Sequence, residues 1–271
     1  MPVTAARPWK RLVATCVVVL AAAAGSACEL AFSHLSAEAR DEWTKTFDLS
    51  ADGRVEIVNT NGTIEVEPSR DGKVHVRAER VAKGGTEDGA REALKRVEIK
   101  DTVEPGLVRV ETKAPSGGMF SSGHARVDYY VEMPGTASVR IGNTNGRISV
   151  RQIAGRVEAE TTNGGVEGRG LTGTVKASTT NGGVDVEVAV LHQDGVTLET
   201  VNGGVRLALP DSAKADISAT TVNGGISTSG LSVDSTESSR RRLEGRINGG
   251  GARIRLEVVN GGVRLEGRSG S

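Results

Sequence analysis

The sequence predicts an all-β protein whose main part is a β-solenoid, a β-helix-like stack of 18–21-residue coils, preceded by an N-terminal β-rich lobe with one short helix. Three observations predict this fold. Apolar and polar residues alternate along most of the chain after residue 46, which is the period of half-buried strands. An Asn-Gly pair recurs at nearly constant spacing. Aromatic residues make up only 3% of the chain against 36 glycines, so thin layers of small branched side chains fit the composition best.

Residues 1–27 have the pattern of a signal peptide. Arg7, Lys10 and Arg11 form a basic start, and residues 12–24 form an apolar segment that is too short to span a bilayer comfortably. Gly-Ser-Ala at 25–27 supplies small residues suited to cleavage. We therefore expect an exported protein, with an uncleaved membrane anchor as the alternative.

The chain has two cysteines, Cys16 and Cys28. Loss of the signal peptide removes Cys16 and leaves Cys28 single in an oxidising compartment. The run Ala-Gly-Ser-Ala-Cys at 24–28 resembles a bacterial lipobox, although Gly25 stands where a large aliphatic residue is usual. We expect lipidation of Cys28, which would anchor the protein to a membrane of the cell envelope. The alternative is ordinary cleavage, a free Cys28 and a secreted protein.

The charge balance excludes one class of partner. The full chain carries 34 basic and 34 acidic residues, and residues 28–271 keep 31 basic and 34 acidic ones, a net charge of −3. Nucleic-acid binding depends on clustered Lys and Arg. A nucleic-acid partner is therefore not expected.

The remaining sequence divides into three parts. Residues 28–45 show no sustained strand pattern and predict a membrane-proximal linker. Residues 46–138 predict the N-terminal lobe, with strands at 47–58, 63–67, 73–80, 107–113 and 126–133, a helix at 87–95 and a loop at 116–123. Residues 139–271 predict the solenoid.

Eight Asn-Gly pairs occur, and seven share one frame. Each of these seven has an apolar residue six and four places before the Asn and three places after it. The seven are Asn61, Asn145, Asn163, Asn181, Asn202, Asn223 and Asn260. The eighth, Asn248, has Arg242, Glu244 and Gly251 at those places, which predicts a plain turn between two strands.

Each framed unit predicts strand, bend and strand. Asn and Gly tolerate the positive φ of a tight bend, and one unit can bury its apolar face only against stacked copies. Stacking would align the seven Asn side chains in a hydrogen-bonded ladder at the bends. Asn61 lies 84 residues before Asn145, so it is either an early coil followed by an insertion or a unit that joins the lobe to the stack.

These units resemble the bacterial putative adhesin family, whose members are β-strand repeat domains of unknown function, often on envelope lipoproteins. The run from Gly155 through Asn163 to Val166 is one clear instance, and the run from Gly173 through Asn181 to Val184 is the next. Val-Glu-Met-Pro-Gly at 131–135 is similar to the family's entry into its repeats. The resemblance covers roughly residues 46–267. It implies an envelope location and a role in adhesion or envelope-stress sensing, and it carries over no catalytic residue.

The sequence shows no motif for catalysis, metal or cofactor. The four histidines, at 34, 75, 124 and 192, have no paired ligand spacing. No nucleophile elbow and no phosphate-binding loop appears, and the Gly-Gly pairs sit at repeat spacing, which predicts turn residues. We therefore expect no cofactor and no enzymatic activity.

Three surface features leave alternatives open. Glu158 and Glu160 point outward on one coil, and a carbohydrate-active β-helix enzyme would bring such carboxylates together with an Arg or Lys. Thr161, Thr179, Thr200 and Thr221 form a column two places before the Asn; an ice-binding array needs them outside, whereas the strand parity predicts them inside. Residues 240–242, Arg-Arg-Arg, predict a solvated hairpin that could also touch anionic lipid or polysaccharide.

The favoured interpretation is a non-enzymatic, envelope-anchored solenoid that presents a surface for adhesion, binding or stress sensing. Extended repeat stacks offer long side faces for a partner, here an envelope protein or polysaccharide. The alternatives are the carbohydrate-active lyase or hydrolase and a purely structural spacer.

Overall fold

A computed structural model of the chain describes residues 37–113 and 125–269. The predicted fold class is confirmed: the described residues form a β-solenoid with one short helix. Their strands lie in a ten-stranded sheet and an eleven-stranded sheet, and the chain passes from the second to the first at each of the seven framed Asn-Gly bends. The core fills the space between the sheets.

The first half of the chain contains four strands, the helix and three further strands. The strands before the helix are β1 (Ala37–Phe47), β2 (Arg54–Asn61), β3 (Ile64–Pro68) and β4 (Val74–Gly84). Helix α1 (Glu87–Lys95) forms where the sequence predicts it. The strands after it are β5 (Glu98–Glu104), β6 (Leu107–Lys113) and β7 (Ala125–Met133).

The second half contains the regular coils, each made of two strands. They are β8 (Ser138–Asn145) with β9 (Ile148–Arg151), β10 (Val157–Asn163) with β11 (Val166–Leu171), β12 (Val175–Asn181) with β13 (Val184–Val188), β14 (Val196–Asn202) with β15 (Val205–Pro210), β16 (Ala215–Asn223) with β17 (Ile226–Ser229), and β20 (Ala252–Asn260) with β21 (Val263–Arg268). A hairpin of β18 (Val233–Ser238) and β19 (Arg242–Ile247) precedes the last coil.

The coils stack in parallel, and each is named below by its Asn. In each framed coil the strand that ends at the Asn lies in the eleven-stranded sheet, and the next strand lies in the ten-stranded sheet. The pairing keeps one register, so that Asn163 lies opposite Asn145 and Asn181. Like residues therefore form columns along the stack, and each column crosses from coil to coil in steps of about 4.8 Å.

The order of the coils in space differs from their order in the sequence. The Asn61 coil stacks directly on the Asn145 coil, which settles its place as an early coil followed by an insertion. The inserted residues place β6 and β7 as a further coil on the other side of it. At the opposite end the Asn260 coil lies between the Asn202 and Asn223 coils.

Both ends of the stack carry antiparallel strands. At one end β5 pairs with β6, while β4 and β1 extend the sheet beyond β7. Helix α1 packs on β4 and β1, and its first turn is capped by Thr86, whose Oγ1 accepts from the Gly89 amide at 3.0 Å. At the other end the β18–β19 hairpin pairs with β16.

Three boundaries predicted from the sequence are wrong. Residues 37–45, expected in the linker, belong to β1, an edge strand in which the exposed Asp41 and Lys45 interrupt the apolar alternation of the inward face. Residues 28–36 lie outside the described residues. The strand expected at 47–58 begins at Arg54, because residues 48–53 turn the chain. The expected boundary at 138/139 separates no two bodies, since both sheets and one core run through it.

The core consists of columns of branched aliphatic side chains. Val157, Val175 and Val196 succeed one another in one column and are almost fully buried. Larger side chains such as Leu198 fill the coils with the same parity. Each coil therefore buries its apolar face only because its neighbours cover it. In the part of the chain that the structure describes, no helix has the length and hydropathy to cross a membrane.

Candidate binding groove along the Asn-Gly corner

The bend after each Asn determines the shape of one edge of the solenoid. In six of the seven framed bends the first Gly has a positive φ of 126–157°, for example 149° at Gly164, where a Cβ would stand only 2.1 Å from the Gly146 carbonyl oxygen. Only glycine fits such a position. The corners of neighbouring coils therefore approach each other in backbone contact.

The framed Asn side chains form one hydrogen-bonded ladder along this corner. Each Nδ2 donates to the Oδ1 of the neighbouring coil, with distances of 2.6–2.9 Å over six steps among the described residues. In stack order the ladder consists of Asn61, Asn145, Asn163, Asn181, Asn202, Asn260 and Asn223. The amides all point the same way, and Asn61 donates onward to the Ala125 carbonyl at 3.3 Å.

The Thr column two places before the Asn lies inside, as its parity predicts. The four hydroxyls are buried, and each donates to the carbonyl of the first bend glycine of the neighbouring coil. The four are Thr161, Thr179, Thr200 and Thr221. Their inward position removes the basis for an ice-binding array and gives them a role in holding the bends together.

The second residue after each Asn forms a groove along the ten-stranded sheet. Five successive coils have glycine at this position, and in stack order these are Gly165, Gly183, Gly204, Gly262 and Gly225. A Cβ on the first four would lie 3.2–3.4 Å from the nearest backbone oxygen, and none of the five has a φ that demands glycine. The Asn61 and Asn145 coils carry Thr63 and Arg147 at the same position. The φ at this position therefore accepts a side chain, at the cost of shifting the facing oxygen by a few tenths of an ångström, and five coils have none.

The groove that results has a volume of about 830 Å³. Four steps of about 4.8 Å between five coils give its glycine floor a length of about 19 Å. Glu167, Asp185, Arg206 and Arg264 line one wall, and Arg147 stands at one end. The groove is long, narrow and open, which suits an extended chain more than a compact small molecule.

The wall is held by ion pairs between neighbouring coils. Asp185 accepts from Arg169 at 2.8 and 2.9 Å and from Arg206 at 3.2 Å, and Arg206 also donates to Glu266 at 2.6 Å. The Arg169 guanidinium, with help from Arg206, lowers the pKa of the Asp185 carboxyl. The Arg206 guanidinium likewise lowers the pKa of Glu266. Both acids therefore stay ionised, and the wall carries fixed charges of both signs.

A ridge of β-branched side chains runs along the other side of the Asn ladder. The residue before each Asn is Thr or Val, and the three Val residues are exposed by 39–57%. Val201, Val259 and Val222 are scattered in the sequence but adjacent in the stack, because the Asn260 coil lies between its neighbours. The ridge thus ends in a short apolar strip.

A second depression, of about 470 Å³, lies on the outer face of the eleven-stranded sheet and contains Glu158 and Glu160. Glu158 pairs with Arg156 at 3.0 Å and with Arg140 at 4.0 Å. Glu56 pairs in the same way with a neighbouring strand's guanidinium, that of Arg109, at 3.0 Å. These are ion pairs on the solvated face of a sheet. They give no support to the carbohydrate-active alternative.

The histidines within the described residues lie far from each other in the chain and bind local partners. His75 contacts Asp71 at 2.9 Å and Thr46 at 3.1 Å, and His192 lies 3.6 Å from Asp194. Within residues 37–113 and 125–269 no group of three potential ligands could hold a metal ion. His34, His124 and Cys28 lie outside the described residues, so lipidation of Cys28 stays a prediction.

Residues 136–266 match the sequence profile of a family described as Toastrack DUF4097. The match begins just before β8 and ends within β21, so it contains the Asn145 coil and every framed coil that follows it in the chain. Over these residues the chain is similar to the Toastrack DUF4097 family. The resemblance to the bacterial putative adhesin family, predicted from the repeat frame, is confirmed.

Two solved bacterial structures show a limited similarity to the chain. A "putative cell adhesion protein" from Clostridium sporogenes is 14% identical, with a TM-score of 0.49, over 85% of this chain and 100% of its own. A "putative adhesin" from Bacteroides fragilis is 11% identical, with a TM-score of 0.42, over 84% of this chain and 97% of its own. No residue role is transferred from either one. No curated protein matches the chain significantly.

The sequence pattern predicts the Asn ladder of the Toastrack-like repeats, but it does not predict the groove with the glycine floor. In the framed bends, the interpretation of the Gly-Gly pairs as turn residues holds for the first glycine of each pair only. A signal for the second is present in the sequence: Thr63 and Arg147 at the same place show that the bend needs only one glycine. Residues 240–242 do form the tip of an exposed hairpin, as predicted. The carbonyls of Arg240 and Arg241 accept from the Ile226 and Thr221 amides and so cover the last bend.

Proposed function

We propose that this protein is a non-enzymatic, exported cell-envelope protein whose Toastrack solenoid presents a binding surface for adhesion or envelope-stress sensing. In this proposal, acylated Cys28 holds it at the membrane, and its partner is an extended envelope protein or polysaccharide chain. The observation that carries the proposal is the glycine floor of the groove, which five coils keep open although their backbones accept side chains there.

The walls of the groove support the same proposal. Because Asp185 and Arg206 are fixed by their ion pairs, charged groups line the groove without having to become ordered when a ligand arrives, which lowers the entropic cost of binding. Groups of both signs along one wall can bind the alternating donors and acceptors of a polypeptide or a polysaccharide.

The experiment fills the groove. The double variant Gly183→Thr/Gly204→Thr places on two neighbouring coils the residue that the Asn61 coil has naturally at position 63. Residues 37–271 of the wild type and the variant are used as bait in a pull-down from solubilised envelope extract. The variant is expected to keep its melting temperature and to lose the partner that the wild type retains.

Gly142→Thr is the matched control. Gly142 lies on the outer face of the eleven-stranded sheet, and a Cβ there meets nothing within 4 Å. This variant is expected to bind like the wild type. Equal retention of the partner by the filled and the control variant would reject the groove, and a wild type that retains no partner would favour a structural spacer.

A further inference from the structure

The Asn260 coil occupies a slot between two coils that come earlier in the chain. It pairs with the Asn202 coil on one side and with the Asn223 coil on the other. After β15 the chain skips this slot through residues 211–214, builds the Asn223 coil and the β18–β19 hairpin, and returns through residues 248–251. The slot is therefore filled by a segment that arrives after both of its walls.

The segment and both walls share one frame. Asn260 lies opposite Asn202 and Asn223, and Ile254 lies opposite Val196 and Ile217. The hydrogen bonds across the slot come from the coil's own backbone. On one side the Gly203 and Val205 amides donate to the carbonyls of Asn260 and Gly262, at 2.9 and 3.0 Å. On the other side the coil itself donates, from the Gly261 and Val263 amides to the Asn223 and Gly225 carbonyls, both at 2.9 Å.

Side-chain contacts repeat this pattern. Asn260 donates to Asn202 and accepts from Asn223, both at 2.8 Å, and Glu266 accepts from Arg206. None of these contacts involves the connector at residues 248–251. The slot would therefore hold the same coil equally well whether it came from the same chain or from another copy.

The connector is the part that makes the insertion intramolecular, and it is a demanding one. Strands β19 and β20 lie on opposite sides of β16, so residues 248–251 must cross the end of that strand. Asn248, Gly249 and Gly250 have φ values of 49°, 86° and 92°, and Asn248 donates to the carbonyls of Asp211 and Ala213 at 2.8 Å each. An extended connector would relieve the positive φ at Asn248, which non-glycine residues adopt at a cost.

We propose that the slot between the Asn202 and Asn223 coils is an interaction site for a second copy of this chain, which inserts its residues 252–268 there in exchange for those of its partner. The exchanged dimer keeps every contact in the slot and changes only the connector. Such exchange of an identical element is a low-cost route to a dimer. The inserted segment brings Gly262 and Arg264 to the groove in either arrangement, and the exchange needs no ligand there.

Two single cysteines report the exchange. Val201 and Val259 are exposed and stand across the slot boundary, between the opposed pairs Thr200–Val258 and Asn202–Asn260. Full-length Val201→Cys with one tag and full-length Val259→Cys with another are co-expressed, both in a background that carries Cys16→Ser and Cys28→Ser. The proposal predicts a disulfide-linked heterodimer that contains both tags.

Thr162→Cys with Thr180→Cys is the matched control pair. These positions lie in the same column, on coils that follow one another in the sequence, so exchange between them would have to open the stack in its middle. Little or no heterodimer is expected from this pair. Absence of the heterodimer from the test pair, or equal yield from both pairs, overturns the proposal.

A connector variant gives a second readout. Deletion of Gly249 and Gly250 removes two residues whose positive φ turns the chain across β16, so closure within one chain is disfavoured. Light scattering should then show a doubled mass, with a β-rich circular dichroism spectrum. A folded monomer would overturn the proposal, and if the variant fails to fold the cysteine pairs decide alone.

Discussion

Asn260 donates its side-chain amide to Oδ1 of Asn202 across 2.8 Å, although the two residues lie 58 positions apart in the sequence. The contact completes the Asn ladder because the last coil enters the stack between coils built earlier. The ladder therefore follows the order of the coils in space, and its energetic role can be tested one rung at a time.

Asn181→Ala removes a middle rung. Asn181 donates to Asn163 and accepts from Asn202, both at 2.9 Å, and each bond contributes about 0.5–1.5 kcal/mol net. Because the side chain is exposed, we expect the lower end of the sum, a loss of about 1 kcal/mol in the free energy of unfolding. Urea denaturation measures it. Asn223→Ala, at the far end of the ladder, should lose less, and an equal or larger loss there would contradict the ladder.

The two glycines of a bend should respond differently to alanine. At Gly164 a Cβ would stand 2.1 Å from the Gly146 oxygen at a φ of 149°, so Gly164→Ala should destabilise the protein by about 1–3 kcal/mol. At Gly183 the Cβ is 3.4 Å from the Gly204 oxygen. Gly183→Ala should therefore be neutral or stabilise by up to about 1 kcal/mol, because it restricts the unfolded chain. If thermal melts showed a similar loss of stability in both variants, Gly183 would be required by the backbone and would not simply leave space in the groove.

Acid should weaken the wall of the groove. Arg169 and Arg206 lower the pKa of Asp185 in the folded protein, so its contribution is fully present above the unfolded pKa, about 3.9, and is lost as the pH falls through the lower folded value. Asp185→Asn should be less stable than the wild type at about pH 6, and the gap should be narrower at about pH 3. Denaturation at both pH values tests this, and a gap that stays constant would exclude the ion pairs as its cause.

Tyr129 and Thr112 form a buried hydroxyl pair 2.7 Å apart. Tyr129→Phe leaves the Thr112 hydroxyl without this partner and should cost about 1–3 kcal/mol. The double variant Tyr129→Phe/Thr112→Val should lose less than the sum of the single variants, because neither polar group is then left buried alone. Additive losses would show that the pair is not coupled.

Burial also raises the pKa of the Tyr129 hydroxyl to about 12. In the unfolded chain a tyrosine ionises near pH 10, so its contribution is present below that pH and is lost as the pH rises towards the folded value. The wild type should therefore lose stability above about pH 10 more steeply than Tyr129→Phe. Parallel alkaline denaturation curves would contradict this assignment.

Labelled palmitate should enter the protein in growing cells and be absent from the Cys28→Ser variant. The expectation rests on the single cysteine that follows the predicted signal peptide. Label that enters both forms equally, or neither, would refute anchoring through Cys28. Cell fractionation of the two forms then shows whether this residue holds the protein at the membrane.

The repeat frame predicts the coils because a residue's position in the frame determines whether it is buried. The column that the neighbouring coils cover, for example, holds the apolar residues Val157, Val175 and Val196. Two features are beyond it. In β1, at the edge of its sheet, Asp41 and Lys45 interrupt the apolar alternation of the inward face. The connectors at residues 211–214 and 248–251 are equally long, and all coils share one frame. The frame therefore cannot predict that the Asn260 coil lies between the Asn202 and Asn223 coils.

The groove falls between these two cases. Its floor is defined by side chains that are missing, and residue types alone do not distinguish a glycine required by φ, such as Gly164, from one that leaves space, such as Gly183. The amino-acid sequence alone makes this distinction once the seven bends are aligned. The first position after the Asn is always glycine, whereas the second is Thr63 and Arg147 in two of the coils.

Insertion of the Asn260 coil changes what a shortened chain would lose. Solenoids generally tolerate trimming from an end, because each layer contacts only its neighbours. Here a chain that stops at residue 250 would lack an interior layer, and the Asn223 coil beyond it would face a gap. In the export that we propose, the far end of the stack reaches its final arrangement only after the last repeat has crossed the membrane. Incompletely exported chains would present the unpaired edges of β14, β15, β16 and β17 to quality-control proteases.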